Sequence, residues 1–130
     1  MLFSFWFGRT VSYDVVDIFP DDHITVKNKC NVQFRCMDCL EDLNEGLIQS
    51  TDLICIDIDH RGFYEKDIMC LLHKYKYKGL VVIDNILISH AMKNFWEEIQ
   101  LPKYIVTSVG HWTGTGIVVF DESRYNIRLS

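Results

Sequence analysis

The sequence predicts an α/β protein built on a mostly parallel sheet, with helices on both faces and a closing antiparallel hairpin. Three observations lead there. The runs TDLICIDI (51–58) and GLVVIDNI (79–86) are almost continuously apolar, as in strands covered on both faces. Amphipathic helical patterns follow each of them, so the connections are right-handed crossovers between parallel strands. The last two apolar runs are separated only by the glycine-rich SVGHWTGTG, too short for a crossover and suited to an antiparallel return.

In chain order, TVSYDVVDI (10–18) and NVQFRC (31–36) are strand-like, rich in β-branched and aromatic residues. Residues 38–49 form a weaker helix interrupted by Gly46. After the strand at 51–58, GFYEKDIMCLLHKYKY places Tyr64, Ile68, Leu71, Leu72 and Tyr75 at helical spacing. Lys74, Lys76 and Lys78 suit the negative end of that helix, and Gly79 its stop. The strand at 79–86 leads to SHAMKNFWEEI, with Ser89 as N-cap, Met92, Phe95, Trp96 and Ile99 on one face, and Pro102 beyond its end. KYIVTSV (103–109) and TGIVVF (115–120) are the closing strands.

The chain has 130 residues, the size of one domain, and is read as a single domain in which residues 1–10 form an apolar leader. A net charge of −5 argues against a duplex nucleic-acid partner, which demands a phosphate-neutralising surface. Lysines at the end of a helix account for the basic and aromatic HKYKYKG, with its lysines in solvent and its tyrosines in the core. The five cysteines are an odd number, and Cys55 and Cys70 sit in apolar patterns, which points to reduced thiols in a cytoplasmic setting. Cys36 and Cys39 form a C-x-x-C with no second pair to complete a zinc site. The opening MLFSFWFG lacks a basic leader and is too short to span a bilayer, and no other run approaches the roughly 20 residues a span requires. No membrane association is expected.

Acids recur at the strand ends: Asp14 or Asp17 after the first, Asp38 after the second, Asp57, Asp59 and His60 after the third, Asp84 and Asn85 after the fourth. Open parallel sheets bind ligands beyond their carboxyl ends, so these side chains are the candidate site. Before a helix, a lone Asp is ordinarily a cap, which is a sufficient reading for Asp38 and Asp59. Asp57 and Asp84 instead close unbroken apolar runs, where a carboxylate needs a donor, a ligand or a metal. Together with Asn85 they offer oxygens to a hard divalent cation such as magnesium, with His60 as general base.

The run DLICIDIDHRGFYEKDIMCLLHKYKYKGLVVIDNI, then MKNFWEEI and PKYIVTSVGHWTGTGIVVFD, resembles class I, Rossmann-like S-adenosylmethionine-dependent methyltransferases. The nearest branch holds macrocin O-methyltransferase-like and cephalosporin-hydroxylase-like enzymes, and the resemblance covers residues 11–121. It implies that Asp14, or else Asp17, holds the ribose hydroxyls of S-adenosylmethionine, and that Asp38, beside Cys39, lies by the adenine. It implies that Asp57 and His60 face the methionine part and a small-molecule or sugar acceptor. The family's fifth strand ends in two acids that bind metal; here Asp84 is followed by Asn85, a neutral amide. The family's central first strand and its glycine-rich loop have no counterpart in the sequence. MLFSFWF is then expected either to replace that strand or to dock on a partner, making the chain a homo-oligomer or a subunit of a larger assembly. A chain encoding only the later part of the family's domain is the third expectation.

Overall fold

The structure is a computed structural model and describes residues 10–14, 32–106, 110 and 112–128. The chain divides into two compact units, Met1–Leu43 and Asn44–Ser130.

In the first unit, β1 (Thr10–Asp14) lies parallel to β2 (Val32–Cys36), in register from Thr10 against Val32 to Asp14 against Cys36. A single turn of helix, α1 (Cys39–Asp42), follows. Asp38 starts it by accepting a hydrogen bond from Leu40 N at 2.9 Å. Arg35 donates to the carboxylate of Asp42, tying the helix to β2.

The helix expected over 38–49 is two short ones, the second being α2 (Glu45–Gln49). The break falls at Leu43 and Asn44 rather than at Gly46. Leu43 takes an extended backbone, and the Asn44 side chain caps α2 by accepting from Leu47 N at 3.1 Å.

In the second unit, β3 (Leu53–Ile56), α3 (Phe63–Lys74), β4 (Leu80–Ile83), α4 (His90–Glu98), β5 (Lys103–Ile105) and β6 (Gly116–Val119) follow in order. The strands form one sheet in the order β3-β4-β6-β5. β3 and β4 are parallel, with Ile56 against Ile83. β6 enters between β4 and β5 and is antiparallel to both. The expected antiparallel return is present, but this sheet is not mostly parallel. Because β6 pairs with β4 as well as with β5, two of the three pairings are antiparallel.

In the second unit, α3 and α4 both cover one face of the sheet. Residues of the two faces alternate along each strand. On one face Ile56, Val81, Ile83 and Val118 are buried, together with Ile68, Met69 and Leu72 of α3 and Met92, Phe95 and Trp96 of α4. A Cβ on Gly116 would stand 2.5 Å from the Trp96 ring, which places α4 over that face. A Cβ on Gly62, at the start of α3, would meet Ala91 O at 3.1 Å and Phe95 Cβ at 3.4 Å, so α3 lies beside α4. On the opposite face Cys55 is exposed, Val82, Ile117 and Tyr104 are half-buried, and Val119 is buried.

Both helix ends are held by specific groups. Lys103 Nζ donates to the carbonyls of Trp96, Ile99 and Glu97 at 2.5, 2.8 and 3.1 Å, satisfying the acceptors α4 leaves open. α3 stops at Lys74 through Lys76, not Gly79. Lys76 has φ +53°, and the bonds from Lys76 N to His73 O and Tyr77 N to Leu72 O complete a Schellman motif. Gly79 is needed for close approach instead, since a Cβ there would stand 2.3 Å from Asp52 O.

Candidate functional site at the carboxyl edge of the sheet

Parallel pairing dictates where the strand-end acids fall. Ile56 and Ile83 are register partners, so the next residues, Asp57 and Asp84, leave the second unit's sheet at the same edge. Asp14 and Cys36 are partners too, which puts Asp14 and Asp38 at the carboxyl edge of the first unit's strand pair. Asp17 and residues 1–9 lie outside the described residues.

At the edge of β3 and β4 the side chains form one connected network. His60 Nε2 lies 3.3 Å from Asp57 Oδ1 and 3.1 Å from Asn85 Nδ2. Asn85 Nδ2 also donates to Asp84 Oδ2 at 3.2 Å, while Asn85 Oδ1 accepts from Thr113. Thr115 Oγ1 donates to Asp84 Oδ1 at 3.3 Å. The sequence-predicted group Asp57, His60, Asp84 and Asn85 is thus brought together. Asp59, by contrast, pairs with Arg61 at 2.7 Å on the surface.

Two features of the backbone build this network. His60 and Asn85 are both left-handed, with φ of +56° and +57°. Asn and His are among the few residues that tolerate this region, and such conformations gather at functional sites. The turn at His60 is locked by Glu65, buried to 1% exposure, whose two carboxylate oxygens accept from His60 N at 2.8 Å and Gly62 N at 2.9 Å. Gly62, at φ +89°, starts α3 without a side-chain cap, so Glu65 supplies the cap from inside the helix. The loop after β4 is held by Ile86 N to Gly114 O at 3.0 Å and Leu87 N to Thr113 O at 2.8 Å.

Glu65, Thr113 and Thr115 were not among the sequence candidates. For Glu65 a signal existed, since an acid three residues inside a helix start has capping-box spacing. The threonines gave none, because their role depends on β6 lying beside β4.

His60 Nε2 is where a proton can be held or taken. Carrying a proton, that nitrogen donates to Asp57; without it, the nitrogen accepts from Asn85. The side chain of Asp57 is 59% exposed, so its carboxylate is open to a cationic ligand group.

The expected divalent-cation set fits less well. Asn85 turns its carbonyl to Thr113 and its amino group to His60 and Asp84, and both Asp84 oxygens already accept hydrogen bonds. Among the described residues no group of three His, Cys, Asp or Glu side chains is arranged to hold a metal ion.

In the first unit, Asp38 spends one oxygen on the α1 cap, as its bland reading required. The half-buried Cys39 thiol is pushed up, first by burial and then by the neighbouring Asp38 charge, which keeps it protonated at neutral pH and a poor nucleophile.

No protein-family model matches the chain. A search of curated proteins finds no match either. Among the described residues no helix is long and apolar enough to cross a membrane.

Proposed function

We propose that this chain is a Rossmann-like, methyltransferase-like protein that holds S-adenosylmethionine at the carboxyl edges of its parallel strands and methylates a hydroxyl of a small-molecule or sugar acceptor. The observation that carries this reading is that each unit holds a parallel strand pair with acids at its carboxyl end: Asp14 and Asp38 for β1 and β2, Asp57 and Asp84 for β3 and β4. Acids at such an edge suit a cofactor that carries ammonium and sulfonium charge.

When bound, the cofactor would supply a sulfonium-borne methyl group to the acceptor oxygen and would leave as the neutral thioether. The protein's part is positioning and proton removal. His60 Nε2 takes the hydroxyl proton, and the resulting imidazolium N–H hydrogen-bonds to Asp57 Oδ1. Asn85 Nδ2 lies against the same ring nitrogen and positions the ring while it is neutral, and Glu65 holds the turn that carries it. Asp14, or else Asp17, would hold the ribose, and Asp38 with Cys39 would border the adenine. No step is assigned to a metal, because Asn85 and Asp84 spend their oxygens on Thr113, Thr115 and each other.

A second reading is a catalytically inactive subunit with a structural role in a homo-oligomer or larger assembly, docked through the N-terminal apolar segment. The half-exposed sheet face of Cys55, Val82, Ile117 and Tyr104, and Asn85 standing where the family has an acid, favour it. The thiols of Cys55 and Cys70 are free, as a reducing cytoplasm would keep them.

Calorimetric titration with S-adenosylmethionine and its demethylated product separates the two. Micromolar binding, lost in Asp14→Ala, supports the enzyme. Absence of heat up to millimolar ligand, with a multimer by light scattering, supports the subunit.

A further inference from the structure

The large apolar side chains that lie exposed among the described residues are Phe63, Ile88, Ile105 and Trp112, at 67, 49, 48 and 82%. Topology puts all of them at one end of the second unit. Phe63 opens α3 at the carboxyl edge of β3, and Ile88 lies between β4 and α4. β5 runs in the same direction as β4, both being antiparallel to β6, so Ile105 ends at that edge. Trp112 sits in the loop joining β5 to β6, again at that edge.

These residues flank the polar network in the chain as well. Phe63 follows Gly62, whose N–H is held by Glu65; Ile88 N donates to Asn85 O at 3.1 Å; and Trp112 precedes Thr113, which donates to Asn85. Exposed apolar groups are ordinarily scattered over a surface, whereas a concentration around convergent polar groups marks a ligand site.

From this arrangement we infer that the carboxyl edge of β3, β4 and β5 binds an uncharged aromatic alcohol, its ring against Trp112 and Phe63 and its hydroxyl at His60. The inference rests on the methyltransferase reading for what is done to that hydroxyl, but not for the binding itself. Charge excludes the anionic alternatives. Asp57, Asp59 and Asp84 lie at this edge against Arg61, which is already paired with Asp59, so phosphates and carboxylates are repelled. A ring rather than a sugar is indicated because the exposed groups around the network are two aromatic and two branched aliphatic side chains, which offer area and π-faces and, apart from the Trp112 indole N–H, no hydrogen bonds.

The test is a fluorescence titration of the full chain, without cofactor, using naphthol, methoxynaphthalene and methyl glucoside. Naphthol is expected to bind, methoxynaphthalene several-fold more weakly for lack of a proton to donate, and the glucoside not at all. Trp112→Ala and Phe63→Ala should each weaken naphthol roughly tenfold. His60→Ala should erase the preference for naphthol over its methyl ether. Unchanged circular dichroism establishes that the variants fold, as expected for the exposed Trp112 and Phe63. Glucoside binding as tight as naphthol, or naphthol binding indifferent to Trp112→Ala and Phe63→Ala, overturns the inference. If naphthol binds as described and S-adenosylmethionine does not, the aromatic site stands and the methyltransferase reading falls. If the cofactor binds and naphthol does not, the reverse holds.

Discussion

His60 and Asn85 face one another across the ends of β3 and β4, Nε2 to Nδ2 at 3.1 Å, each on a left-handed backbone. Two non-glycine residues in that region are each held at a cost of about 1–3 kcal/mol, so the surrounding bonds must over-determine them. Glu65 does so for His60, and the Thr113–Gly114 backbone does so for the Asn85 loop.

The strain at Asn85 is measurable by comparing two truncations. Asn85→Gly loses the side-chain bonds but relaxes the backbone; Asn85→Ala loses the same bonds and keeps a Cβ at φ +57°. Alanine should therefore be the less stable by roughly 1 kcal/mol in urea denaturation. Coincident midpoints for the two variants would mean that no backbone strain is held there.

Glu65 is a buried carboxylate fully spent on two backbone N–H groups. Glu65→Gln leaves one acceptor oxygen and presents an amino group where the other accepted, so roughly 2–3 kcal/mol of stability should be lost. Amide exchange adds a local readout: His60 and Gly62 should exchange faster in the variant while amides in the middle of α4 do not.

Much of the fold was legible in the sequence because helical periodicity and strand-end acids are local signals. Ser89 caps α4, accepting from Met92 N at 3.1 Å, and Asp57, His60, Asp84 and Asn85 do meet. What was missed depends on tertiary context. Insertion of β6 beside β4 created the roles of Thr113 and Thr115 and turned two of the three pairings in that sheet antiparallel. Glycine was overvalued as punctuation: Gly46 lies inside α2 and Gly79 marks a close backbone approach, while Asn44 and Lys76 shape the helix boundaries.

Lys76 is a lysine where the Schellman motif ordinarily has glycine. Its φ of +53° costs an L-residue about 1 kcal/mol or more, and the motif's bonds are all backbone. Lys76→Gly should therefore stabilise the protein by up to roughly 1 kcal/mol, the gain reduced by glycine's greater freedom in the unfolded chain. A raised urea midpoint with an unchanged slope is the expected result.

Tyr77 gives the fold an alkaline limit. The residue is 3% exposed, its Oη donates to Leu80 O at 2.9 Å, and Phe120 packs edge-on against its ring with centroids 5.2 Å apart. Burial, reinforced by the charges of Tyr125 and Asp52, pushes the phenol well above its ordinary value of about 10. The folded state thus keeps the proton that the unfolded state releases first. The contribution is fully present below pH about 10, where both states are protonated, and is lost progressively above it, at up to about 1.4 kcal/mol per pH unit. Denaturation midpoints followed from pH about 8 upward should fall beyond pH about 10. In Tyr77→Phe the protein should start less stable by about 1 kcal/mol for the lost Leu80 bond, yet decline less steeply above that pH. Parallel declines for the two proteins would place the alkaline sensitivity elsewhere, with the Cys55 thiol next in line because partial desolvation raises it in the same direction.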